Sequence, residues 1–242
     1  MFANNHIKLD SIDSTNAYIL SLKDLNVFKE GLVVTANCQT SGNGQRNKLW
    51  ESNANENLLL SFVIEPSINI SKQFEISKIV SLSVCDLLTD LGLNPEIKWP
   101  NDILVSNQKI AGILIQNKLK ANLITHSVIG IGLNINQIHF KDYLPKATSL
   151  QLLLNMRFDI DEIRIKLLHF LSDRIIKYRL GILHDEEYLH VLYLKDTVTS
   201  FETKGKKIIG IIKEVTPKGK LLIQFKDNKT AEFEYQTIKY LF

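Results

Sequence analysis

Lys98-Trp99-Pro100-Asn101-Asp102, followed shortly by Lys109-Ile110-Ala111-Gly112-Ile113-Leu114, is the stretch from which the rest of the chain can be read. Ile97–Trp99 and Ile103–Val105 have strand character. Ser106-Asn107-Gln108 then supplies turn chemistry that leads into Lys109–Gln116 as the return arm of a hairpin. The string itself contradicts a plain strand. It sets Lys98, Trp99, Asn101 and Asp102 in an otherwise apolar pattern, and Pro100 withdraws a ladder donor. Local inconsistency of this kind marks functional sites. A strand edge with a buried tryptophan and a turn would account for the same residues without chemistry.

Upstream, Ile7–Leu9 reads as extended, and Asp13-Ser14-Thr15-Asn16 offers several helix caps before Ala17-Tyr18-Ile19-Leu20. Gly31–Ala36 has the β-branched content of a strand and runs into Gln39–Lys48, a polar loop with no apolar residue. Asn57–Ile64 reads as a buried strand. Ser71–Leu91 reads as a helix, with Phe74, Ile79, Leu82, Leu87, Leu88 and Leu91 near helical spacing and Gly92 and Pro95 at its end. Downstream, Leu123–Asn134 is a strand that closes on Gly130-Ile131-Gly132-Leu133-Asn134, and Asp159–Leu180 and His184–Leu192 are helical. After Lys195 the pattern changes to short alternating strands at Val198–Glu202, Ile208–Val215, Leu221–Phe225 and Ala231–Tyr235. The chain therefore divides into residues 1–194 and a small β-barrel or sandwich over 195–242, too small to be stable without packing against its neighbour.

Composition agrees with a folded protein of 242 residues, 45% hydrophobic and 23% charged. The N-terminus lacks a signal-peptide pattern and no apolar run approaches about 18 residues, so the expectation is a cytoplasmic protein without a membrane span. Cys38 and Cys85 are expected as buried free thiols, and neither they nor the six scattered histidines have metal-ligand spacing. Any metal should arrive with a nucleotide. The net charge of +3 is too small to argue for a nucleic-acid surface. Its distribution is uneven: residues 1–194 hold 19 Lys+Arg and 20 Asp+Glu, residues 195–242 hold 10 and 6, and the tail again stands apart.

The loop Gly42–Lys48 combines two glycines, amide side chains and two cations, a set suited to wrapping a phosphate-bearing ligand with backbone N–H groups and charge. The G-K-[ST] ending of a P-loop is absent. A plain solvated loop would read the same way.

Taken in order, Ser14-Thr15-Asn16, Gln39 through Trp50, Lys98 through Asp102, Lys109 through Leu114, Gly130 through Asn134 and Thr148-Ser149-Leu150 resemble the catalytic core of biotin–protein ligases, also called biotin–[acetyl-CoA-carboxylase] ligases. These pieces span most of residues 11–155, and the strand-rich tail resembles the SH3-like domain that ends such ligases. The resemblance implies an α/β (α+β) fold: a class II aminoacyl-tRNA synthetase-like mixed sheet flanked by helices, with a small C-terminal SH3-like β-barrel. One departure stands out. Asn43 occupies a place where the family commonly has an arginine near the biotin and acyl phosphate; an amide still donates a hydrogen bond but brings no charge. Many bacterial members also carry an N-terminal winged helix that binds DNA. Here the Ser-Thr-Asn motif begins at Ser14, so a short form that does not bind DNA is expected.

The implied reaction has two halves. Biotin and ATP first form biotinyl-5′-AMP and pyrophosphate, with Mg²⁺ accompanying the nucleotide, and a lysine of a biotin carboxyl carrier domain then attacks the mixed anhydride. By resemblance, Lys109, Arg46 and Asp102 are the catalytic candidates. Lys109 lies between carboxylate and α-phosphate, and Asp102 orients Lys109 or the incoming lysine, or serves as base. Biotin falls to Ser14, Thr15, Asn16, Gln39, Gly42, Asn43, Lys109, Gly112 and Gly130. The nucleotide falls to Gly44, Gln45, Arg46, Lys48, Trp50, Asn101 and Asn134, with Asn101 near phosphate or metal. Helix capping by Ser14 and Thr15 is compatible with these roles. Lipoate–protein ligase and a non-catalytic biotin sensor are the competing readings, and monomer and homodimer stay equally open.

Overall fold

The structure is a computed structural model and describes residues 1–2, 5–44, 49–142 and 145–241. The chain runs through β1 (His6–Ile12), α1 (Thr15–Ser21), β2 (Val33–Gln39), β3 (Asn57–Ile64), β4 (Ile68–Asn69) and α2 (Phe74–Asp90). It continues through β5 (Pro95–Lys98), β6 (Asp102–Val105), β7 (Gln108–Lys120) and β8 (Leu123–Asn134). Helices α3 (Leu150–Leu154), α4 (Ile160–Arg179) and α5 (Asp185–His190) follow. The tail holds β9 (Val198–Thr203), β10 (Lys206–Val215), β11 (Leu221–Gln224), β12 (Thr230–Phe233) and β13 (Lys239–Tyr240).

The first eight strands form one mixed sheet in the order β1-β2-β3-β8-β7-β6-β5, with β4 paired to β8. Only β1 and β2 run parallel; the other pairs are antiparallel. An α/β fold with a mixed sheet and flanking helices was the expectation, and it is what the chain adopts. β3 is buried along its whole length because the sheet is covered on both sides, which is why its sequence, apart from Asn57 and Ser61, is apolar rather than alternating. Leu58, Leu60 and Phe62 face α2 and α4, whereas Val63 joins Ile19 of α1 and Val34 and Val128 on the opposite side. Each such side chain, fully buried, contributes about 1.5–3 kcal/mol.

Helix boundaries follow local chemistry. Ser14 caps α1, its hydroxyl accepting from Ala17 N, and Asp159 caps α4 by accepting from Asp161 N and Glu162 N. The helix expected from Ser71 begins instead with a 3₁₀ turn over 70–72, capped by the Asn69 side chain, before the α-helical run from Phe74. β4, α3 and β13 were not anticipated; each has five residues or fewer. Cys85 is a buried thiol as expected, but Cys38, near the open end of β2, is only half-buried. Among the described residues no helix is long and apolar enough to cross a membrane.

The tail forms a second sheet in the order β12-β11-β10-β9-β13. Its described ladder is open at β12 and β13 rather than closed into a barrel. It does not stand alone: Phe201, Ile212, Leu221 and Ile223 belong to the same apolar cluster as Ile97, Trp99 and Val105. Gly219, at φ 83° in the β10–β11 turn, approaches Phe74 so closely that a Cβ would lie 2.8 Å from its ring.

Candidate functional site

One face of the large sheet carries a line of polar groups under the start of α1. The β3–β8 register sets Ser61 opposite Gly130, and the β7–β8 register sets Gly112 opposite Gly132. Asn16 settles into the gap left by Gly130, where a Cβ would lie 2.5 Å from its Oδ1. Ser61 Oγ donates to that oxygen at 2.6 Å, and Asn16 Nδ2 donates to Gln116 Oε1 at 2.9 Å. Thr15 continues the line. Its hydroxyl lies 2.6 Å from Ser61 Oγ and 3.0 Å from Gln39 Oε1, and its N–H donates to the same Gln39 oxygen at 2.7 Å. Gln39 Oε1 is therefore committed to Thr15, and its Nε2 lies against Gly42, where a side chain would meet it at 2.8 Å. Ser14, Thr15 and Asn16 are all nearly inaccessible.

The second group gathers on β5, β6 and β7. Asp102 Oδ1 receives Lys109 Nζ at 2.6 Å, and its Oδ2 lies 3.6 Å from Lys98 Nζ, with all three side chains partly buried and Lys109 the most exposed of them. A carboxylate shared between two cations holds both in place while leaving a net positive charge. Asn101 braces the hairpin, donating from Nδ2 to Ile113 O at 2.9 Å. Lys109 is also tied through its backbone to residues 146 and 148.

Trp50 joins the two groups. Its indole covers the Gly112–Gly132 pair: a Cβ on Gly112 would come within 2.9 Å of the ring, and one on Gly132 would run into it. Lys109 Nζ lies 5.6 Å from its centroid, and Trp50 N donates to Gly42 O at 2.8 Å, pinching the base of the polar loop. Among the described residues two buried polar atoms here have no partner, Trp50 Nε1 and Asn134 Oδ1; the nitrogen of Asn134 donates to Thr148 O. Buried orphan groups cost about 1–3 kcal/mol each, so a donor and an acceptor left open at one site point to a ligand that completes them.

The structure thus brings together Ser14, Thr15, Asn16, Gln39, Gly42 and Gly130, and beside them Lys109, Asp102, Gly112, Trp50, Asn101 and Asn134. Asn43 is exposed at the loop base, bridged to Leu49, with Gly44 half-buried next to it. Gln45, Arg46 and Lys48 lie outside the described residues. The sequence reading singled out Lys98 in its string without giving it a role, and it missed Ser61, Gln116 and Gly132 as members of the site. Ser61 had a signal: it is the one hydroxyl in an otherwise apolar stretch from Leu58 to Ile64. A separate cavity of about 330 Å³ opens on the α4 side, lined by Lys8, Thr35, Asn37 and Arg157, away from this chemistry.

The model of the biotin/lipoate A/B protein ligase family matches residues 9–134, just over half of the chain and nearly all of the site. The chain belongs to that family. It is 29% identical over 217 residues to the biotin–[acetyl-CoA-carboxylase] ligase of Mycobacterium tuberculosis, covering 87% of this chain and 79% of that one. It is 32% identical over 129 residues to the bifunctional ligase/repressor BirA of Bacillus spizizenii; that match takes 53% of this chain but only 39% of the relative's length. In fold it is similar to the biotin protein ligase of Aquifex aeolicus solved with biotin and ATP, with a TM-score of 0.80 at 23% identity over 99% of this chain and all of that one.

Proposed function

We propose that this chain is an ATP-dependent biotin–protein ligase, forming biotinyl-5′-AMP and transferring biotin to a lysine of a biotin carboxyl carrier domain. The observation that carries the reading is the Asp102–Lys109 pair at 2.6 Å beside the Gly112–Gly132 gap, with the Gln39–Thr15–Ser61–Asn16 line alongside. A ureido ring offers two N–H donors and a carbonyl acceptor, and amide and hydroxyl groups of that line can match both kinds. A lipoyl dithiolane has neither, which favours biotin over lipoate. The curated relatives named as biotin ligases and the fold likeness support the same choice.

Joining a carboxylate to the α-phosphorus places negative charge between the two substrates. Lys109, held by Asp102, supplies a fixed ammonium against that charge, and preorganised charge is the larger part of such catalysis. Arg46, Lys48, Gln45 and Gly44 are assigned to the nucleotide, and Gly42 and Asn43 to biotin. Trp50 Nε1 and Asn134 Oδ1 are the open donor and acceptor available to an adenylate. Magnesium would enter with the triphosphate and offset its charge, and the Asn101 amide oxygen would offer one of the oxygen ligands it takes. Transfer needs no enzyme nucleophile, because the carrier's amine attacks the anhydride directly. We further assign residues 1–194 as a class II synthetase-like catalytic domain and 195–242 as an SH3-like module, acting in the cytoplasm without DNA.

Pyrophosphate release tests the first half-reaction. Release that requires biotin and ATP together is expected, and lipoate in place of biotin should give little. Release supported equally by lipoate contradicts the substrate assignment; biotin binding without release favours the sensor reading.

A further inference from the structure

The C-terminal sheet holds the Lys98-Trp99 dipeptide from two directions. Trp99 turns into that sheet, where its buried indole donates to Gly219 O at 3.0 Å and meets the Tyr235 ring edge-on at 5.8 Å. Lys98 turns toward the site. Its Nζ lies 3.6 Å from Asp102 Oδ2 and 5.1 Å from the centroid of Tyr240, on β13. Tyr240 is set in an aromatic group, 5.3 Å from Phe201 and 6.3 Å from Tyr193.

We propose that Tyr240 is a positioning residue for the active centre: its ring fixes the Lys98 ammonium, and through shared Asp102 that fixes Lys109. The inference rests on the ligase reading above. Asp102 has one carboxylate for two ammonium groups, and the division is unequal, 2.6 Å to Lys109 against 3.6 Å to Lys98. An aromatic face attracts a cation, which offsets part of the pull of the carboxylate on Lys98. Without the ring, Lys98 closes on Asp102 and weakens its hold on Lys109. Burial, with help from Tyr193 and the Asp102 carboxylate, keeps the Tyr240 phenol neutral well above its ordinary range, so the ring acts as an uncharged surface.

The test combines NMR of ¹³C-lysine-labelled full-length protein with pyrophosphate release. The Lys98 Hε signals, assigned through Lys98→Arg, should be ring-shifted in the wild type, kept in Tyr240→Phe and lost in Tyr240→Leu, with a smaller displacement of the Lys109 signals. Tyr240→Leu should lower kcat for biotin- and ATP-dependent release by about five- to tenfold, with KM for ATP changed less than about twofold. Tyr240→Phe should restore it. Pentafluorophenylalanine in place of Tyr240 keeps the shape, weakens the ring's negative face and should behave like leucine; it also serves if Tyr240→Leu does not fold. Unmoved Lys98 signals overturn the proposal whatever the activity, as do moved signals with unchanged kcat. A folded wild type whose Lys98 signals are ring-shifted but which releases no pyrophosphate overturns the ligase reading while leaving the Tyr240–Lys98 contact in place.

Discussion

Lys109 is placed by three neighbours: Asp102 Oδ1 at 2.6 Å, the Trp50 ring at 5.6 Å and the backbone of residues 146–148. Lys109→Ala should fold, since the residue is partly exposed, and lose on the order of 10²-fold in adenylation rate. Wild-type turnover in the purified variant would remove Lys109 from the mechanism. Asn43 is the opposite case, an exposed amide where the family resemblance implies an arginine. A charge-assisted hydrogen bond is worth about 1.5–3 kcal/mol against about 1 for a neutral one, so Asn43→Arg should slow release of biotinyl-AMP. Unchanged or faster dissociation in a chase experiment would mean that another group already serves that position. At this scale most of the site was legible, because Lys98–Asp102 and Ser14–Asn16 break the local pattern visibly. Gln116 and Gly132 were not: they lie within strands whose alternation they do not disturb, and only the sheet register brings them beneath Asn16 and Trp50.

Among the elements, those that solve a burial problem alone were readable and those that depend on a neighbour were not. β3 matches its expected bounds because both of its faces are covered, so six of its eight residues, Leu58–Leu60 and Phe62–Ile64, carry the apolar signal. β4 and β13 have two residues each and exist only through pairing with β8 and β9. The cap of α4 gives an element-level prediction. Asp159 accepts from two backbone N–H groups, and Asp159→Ala should cost about 1 kcal/mol in denaturant unfolding; no loss would mean that water serves the helix end equally well. The two thiols give another. Cys38 on β2 is half-buried, whereas Cys85 on α2 is buried and its thiol is pushed far up by desolvation and then by Asp86. A maleimide should modify Cys38 in the native protein and Cys85 only on unfolding. Equal rates would contradict the packing of α2 against the sheet.

For the whole molecule, the helical layer is joined by ion pairs whose cations, Lys78 and Arg174, are buried. Lys78 of α2 bonds Glu75 at 2.8 Å and Asp185 of α5, and Arg174 of α4 bonds Asp86 and Glu187. Burial alone would lower the Lys78 pKa, but its bonds to Asp185 and Glu75 prevail and raise it above 10.5, so its stabilisation is present below that pH and lost as pH rises through the raised value. Asp161, held by Lys8 and Arg164, is lowered from 3.8. Glu187 is lowered from 4.5 because Arg174 outweighs its desolvation. Their contributions are present above those values and lost as pH falls through the lowered ones. His6, whose pKa burial and then Arg164 lower from 6.5, adds a loss as pH falls below 6.5, so thermal stability should decline gently there, further in acid below about 4, and in alkali above about 10.5. Lys78→Met should cost about 3 kcal/mol, the low end for a broken buried pair, because it leaves the buried Glu75 carboxylate unpaired while Asp185 stays half-exposed to water, and it should remove part of the alkaline fall.

At the same scale the mixed sheet was legible from its strands and hairpin, whereas the way the tail sheet backs Lys98 and Trp99 is a contact across more than a hundred residues that no local pattern announces. The central claim joins both sheets to one reaction, and incubating the protein with biotin, ATP–Mg²⁺ and a biotin carboxyl carrier domain tests it most directly by the mass of the carrier. One added biotinyl group, dependent on ATP and absent when the acceptor lysine is replaced, is the predicted result; a carrier of unchanged mass, with the enzyme folded and both substrates present, would contradict it.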